Sequence, residues 1–87
     1  MNRHIRDLTR RIEALRHEQT SLIEGTGKLL AYGIDSHVPQ VVARLNAIKT
    51  DARTIGRHLA ILGAHREAED ARHGWAIIVT PPTGGTR

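Results

Sequence analysis

The stretch from Val38 to Glu69, VPQVVARLNAIKTDARTIGRHLAILGAHREAE, decides the fold. Its apolar residues Val38, Val41, Leu45, Ile48, Ala52, Ile55, Leu59 and Leu62 are separated alternately by 3 and 4 positions. That alternation puts them all on one stripe of an α-helix, in the spacing of a coiled-coil seam. A long helix over about 36–73 is predicted, with a second helix lying along its seam.

The upstream chain supplies that second helix. Ile5, Leu8, Ile12, Leu15, Gln19, Leu22, Thr26 and Leu29 step in the same way, which predicts a helix over about 3–32. Gly25 and Gly27 are its weak point, since each costs about 1 kcal/mol relative to alanine inside a helix, and a bend or short break is expected there. Between the helices, YGIDSHVPQ carries a glycine suited to a left-handed helix end, Asp35 or Ser36 as a cap, and Pro39 where a first turn tolerates it. So short a reversal makes the helices antiparallel. The two seams then pair in register: Leu8 with Leu62, Leu15 with Ile55, Leu22 with Ile48 and Leu29 with Val41 all sum to 70, and the alternate layers, Ile5 with Arg66 and Gln19 with Ala52 among them, to 71. The predicted fold is all-α, an antiparallel helical hairpin over residues 1–74.

One hairpin leaves half of each seam open, and a second copy would close it into a four-helix bundle. Ala52, Gly56, Ala60 and Ala64 form a row of small residues, with Gly63 beside it, along which two helix backbones can approach closely. A homodimer through this row is expected, with Gln19 as a polar layer that sets register. Beyond the hairpin, His73 and Gly74 stop the helix, WAIIVT over 75–80 is a short β-prone segment, and PPTGGTR over 81–87 reads as a flexible tail. The segment is expected either to pair as a strand, with a second copy or a partner, or to fold Trp75 and Ile77 back onto the bundle end.

Composition narrows the function. A core built from 87 residues supplies only about 3–5 kcal/mol without staples, and the chain has no cysteine, which removes disulfides, thiolate chemistry and cysteine-based zinc sites. A reducing, cytoplasmic setting is the simplest fit. The first residues contain no signal-peptide core, and the longest apolar run, Trp75 to Val79, falls far short of the ~18 residues of a membrane span. The net charge of +4 is unevenly placed: over residues 37–66, Arg44, Lys49, Arg53, Arg57 and Arg66 stand against Asp51 alone. Such a field favours anionic partners.

Motifs are few. GTGK at Gly25 to Lys28 lacks the upstream glycine and the following serine or threonine of a phosphate-binding loop, having Leu22 and Leu29 in those places. His65, Glu69 and His73 share a helix face, and the register brings His4 near His65, but structural zinc needs four rigid ligands, so no metal or cofactor is assigned. No triad or paired carboxylates are spaced for catalysis. In outline the pattern is similar to small plasmid-encoded hairpin dimers that bind RNA, a likeness of architecture that brings no motif residue with it. The expected function is a non-enzymatic protein–protein interaction module, a small regulator or inhibitor of the phage or plasmid accessory type. It would bind a larger protein through Lys49, Arg53, Arg57, Trp75, Ile77 and Ile78. The alternative is a nucleic-acid-binding regulator using the row Lys49, Arg53 and Arg57, with only Tyr32 and Trp75 available to stack on bases.

Overall fold

The first helix, α1, spans Arg3–Ala31 and is started by Asn2, whose side-chain oxygen accepts the His4 amide at 2.7 Å. It ends where Gly33 turns left-handed and the Ile34 amide donates to the Leu29 carbonyl at 2.9 Å. The helix runs unbroken through Gly25 and Gly27, where a bend was expected. Helix formation is cooperative, and Thr26 between the two glycines is buried; about 1 kcal/mol per glycine does not break such a helix.

The computed structural model describes residues 2–76, and within them the chain is all-helical, with three helices and no strand. α2 spans Val38–Ile61, with Pro39 in its first turn and neither Asp35 nor Ser36 acting as a side-chain cap. Val41, Leu45, Ile48, Ala52, Ile55 and Leu59 are all buried, the stripe that the 3 and 4 spacing predicts. The packing follows from it: Glu18 of α1 is paired with Arg44 of α2, while Leu8 and Ile12 cluster with Ile55 and Leu59.

The second helix does not run to residue 73. It stops at Ile61 because Gly63 takes φ +84°, a conformation that side chains disfavour, and two hydrogen bonds close the end. The Gly63 amide donates to the Ala60 carbonyl at 3.0 Å and the Ala64 amide to that of Leu59 at 2.9 Å, the paired closure of a Schellman turn. The chain then forms a third helix, α3, over His65–Ala71, which packs back onto α2. The heptad register at this end is therefore lost: Leu62 is 39% exposed and Arg66 faces solvent, while Leu8 is buried in a cluster that includes Ala64, Ala68 and Ala71.

α3 also changes the reading of the small-residue row. A methyl group on Gly56 would meet the Ala68 carbonyl oxygen at 3.6 Å, the Ala71 Cβ at 3.7 Å and the Arg72 Cγ at 3.8 Å. The close helix contact expected there exists, but α3 of the same chain makes it. Ala52, Gly56 and Ala64 are buried within the chain, and of the four only Ala60 remains exposed. Towards the other end α1 and α2 continue without α3, and Ile23, Leu29, Tyr32 and Ile34 stay exposed. No helix among the described residues is long and apolar enough to cross a membrane. Trp75 and Ala76 form no strand; the rest of the segment 75–80, with Ile77 and Ile78, and the tail 81–87 lie outside the described residues.

The break makes a testable demand. Alanine at the left-handed Gly63 position costs about 1–2 kcal/mol, so Gly63→Ala is expected to lower Tm by roughly 5–15 °C in a domain this small. An unchanged Tm with a gain of helical circular dichroism would mean that the straight helix, with Leu62 restored to the seam, is as stable as the folded-back one.

Candidate functional site

Lys49, Arg53 and Arg57 stand one turn apart on α2, as their spacing requires. Gly56 and Ala60 lie beside them on the same helix. Because the chain reverses at Gly63, α3 brings His65, Ala68, Glu69 and Arg72 up against this face, and the two helices enclose a groove of about 580 Å³ with Trp75 at its border. The floor is small and apolar; the rim is mostly cationic. Four of the six residues expected to contact a partner, Lys49, Arg53, Arg57 and Trp75, meet here. Ala60 and Gly56, assigned from sequence to a dimer contact, are groove residues too.

Trp75 is held rather than free. Its indole Nε1 donates to the Ala71 carbonyl at 2.6 Å, and the Arg16 guanidinium lies over its ring, 4.4 Å from the centroid. Arg16 reaches across from α1 and also donates to the Asp70 carbonyl at 2.7 Å, tying α1 to the end of α3. Gly74 is needed at this crossing, since its φ is +84° and a Cβ would stand 3.0 Å from the Arg16 Nη1. Trp75 is thus folded back against α1 and α3, while Ile77, expected to fold back with it, lies outside the described residues.

Gln19 has a different part from the seam layer expected of it. Its amide nitrogen donates to the Gly74 carbonyl at 3.0 Å, and its amide oxygen accepts the Ala76 amide at 2.8 Å. One carboxamide therefore grips the backbone on both sides of Trp75, as a neighbouring strand would. Gln19→Leu removes both bonds, and with each worth about 1 kcal/mol net or less at a partly exposed site, a fall in Tm of roughly 5–10 °C is expected. The fluorescence of the single tryptophan should shift to the red as residues 74–76 leave α1. A rise in Tm without a spectral change would restore the seam reading.

The charges are arranged asymmetrically. Glu69 is the only acid on the groove, and it already has partners: the His73 Nε2 at 2.8 Å and the Arg72 Nη1 at 3.7 Å. The hydrogen bond with His73, then the charges of Arg72 and His73, hold its carboxyl below the usual carboxylate range. Among the described residues no carboxylate pairs with Lys49, Arg53 or Arg57. Arg44, one of the cations counted on this helix, is spent elsewhere on the bidentate pair with Glu18, whose carboxyl that hydrogen bond likewise holds low.

His65 and Glu69 share the groove, but no three histidine, aspartate or glutamate side chains among the described residues stand close enough together to hold a metal. What the site offers is positive charge around a small-residue floor. Sequence reasoning missed His65 and Arg72 as parts of it, and Arg16 as the side chain that holds Trp75 beside it. The signal for them was the alanine spacing Ala64, Ala68 and Ala71 immediately after Gly63, which marks a short helix with its own narrow apolar edge. No protein family, curated protein or solved structure matches this chain.

Proposed function

We propose that the protein is a non-enzymatic interaction module, a small helical regulator or inhibitor in a cytoplasmic setting, and that it holds a larger protein in the α2–α3 groove. One observation carries this reading: the cations Lys49, Arg53 and Arg57 and the anchored Trp75, distant in sequence, converge on a groove floored by Gly56, Ala60 and Ala68. A large aromatic and arginines around a desolvated centre are the residue types that dominate protein–protein binding energy. The finer architecture belongs to the same proposal: α1 and α2 as an antiparallel hairpin that a second copy completes as a four-helix bundle. Ile23, Leu29 and Ile34, left exposed where α3 does not reach, support a contact there.

A photoreactive amino acid at the exposed Ala60 tests the function. In cells of the source organism it is expected to cross-link a protein, and Arg53→Glu with Arg57→Glu should abolish the product. Absence of any cross-linked protein would overturn the reading. Sedimentation tests the assembly: a dimer at micromolar concentration is expected, shifting to monomer in Ile23→Glu, and a wild-type monomer would remove the bundle.

The row of cations at one-turn intervals also favours a second reading, a nucleic-acid-binding regulator. Duplex DNA and structured RNA in mobility-shift assays at two salt concentrations separate the two. Binding that falls steeply with salt and is lost in the charge-reversed variant would put the second reading in place of the first.

A further inference from the structure

We infer that the occupant of the α2–α3 groove is an acidic amphipathic α-helix of the partner, a statement that rests on the interaction-module reading above and specifies its chemistry. The argument begins with the width of the site. Two packed helices lie about 8–10 Å apart, and the trough between them admits a third helix of about 10 Å diameter, as in any bundle. A nucleic-acid duplex is too broad to enter it. Single strands need exposed aromatic faces, and Trp75 has Arg16 over its ring and its indole N–H donated to the Ala71 carbonyl.

The pattern of the lining then specifies the helix. Lys49, Arg53 and Arg57 repeat at i, i+4, or about every 6 Å along α2. Carboxylates at i, i+4 on a helix laid alongside have the same repeat, so each meets one cation without either helix bending. On the opposite wall Arg72 supplies a further cation, and Glu69, the only acid, is already engaged by His73 and Arg72. Between the walls Ala60 is exposed, and Gly56 and Ala68, which α2 and α3 bury against each other, carry no large side chain that would stand in the way of the partner's apolar edge.

Tryptophan fluorescence of the full chain reads the test directly, since Trp75 is its only tryptophan and borders the groove. The probe is a synthetic helical peptide of about 15 residues without aromatics, with glutamates at i, i+4 and alanine and leucine on the other face. Saturable binding at micromolar concentration is expected. A shuffled peptide of equal composition should bind at least about tenfold more weakly, as should the patterned peptide with Arg53→Glu and Arg57→Glu. The same variant, its helicity checked by circular dichroism, should instead take the peptide in which lysine replaces each glutamate. Equal binding of the shuffled peptide, or no binding of the patterned one at millimolar concentration, overturns the acidic-helix assignment. If the Ala60 cross-link still captures a protein in that case, the interaction reading survives alone. If duplex binding by the charge row is found instead, both fall.

Discussion

Leu59→Ala is expected to leave the chain largely unfolded at room temperature. Leu59 is 0% exposed and sits where all three helices meet, in the cluster with Leu8 and Ile12 of α1, Ile55 of α2 and Ala68 and Ala71 of α3. Truncating a buried leucine removes its transfer energy and leaves a cavity, together about 2–5 kcal/mol. A domain of this size, with no disulfide or metal, has only about 3–5 kcal/mol to lose. α3 deepens the effect, because its side of the cluster is made of alanines, whose short side chains cannot reach into the space. Far-ultraviolet circular dichroism during a urea titration measures it. Ile61→Ala is the control: Ile61 is 80% exposed, so the same chemical deletion two residues away should change stability very little. Equal losses at the two positions would mean that the break after Ile61 is not where the structure places it.

The largest gain is expected from Gly25→Ala combined with Gly27→Ala. Both glycines lie inside α1, and a Cβ at either would meet no atom within 4 Å. Nothing among the described residues uses their lack of a side chain. Each substitution should recover about 1 kcal/mol of helix propensity, and together they should raise Tm by roughly 8–15 °C. The outcome bears on assembly as well as stability. A higher Tm with sedimentation unchanged assigns the glycines no contact. A higher Tm with loss of a dimer would show that a second copy approaches the α1 backbone there.

The candidate site was half legible. Lys49, Arg53 and Arg57 could be grouped from sequence because they share one helix, where spacing alone sets the face. Trp75 could be suspected, but its place beside them depends on the reversal at Gly63 and on the grip of Gln19 and Arg16, which act over more than 50 positions of sequence. No local pattern encodes such a pairing. Gln19 on a seam reads as a register-setting layer until the carbonyl of Gly74 and the amide of Ala76 are seen within its reach.

The sequence by itself determined the all-helical class, the extent of α1, the turn at Gly33 and the buried stripe from Val41 to Leu59, since each rests on periodicity or on a glycine acting within a few residues. Only the tertiary structure decided whether the chain beyond Ile61 goes straight or folds back. The heptad passes through Gly63 without interruption, with Leu62 and Arg66 in step, and it favours the straight helix. Against this, the reversed chain buries Ala64, Ala68 and Ala71 and leaves Leu62 of the seam 39% exposed. That balance is a sum of contacts among three elements, and a pattern read along one of them does not contain it.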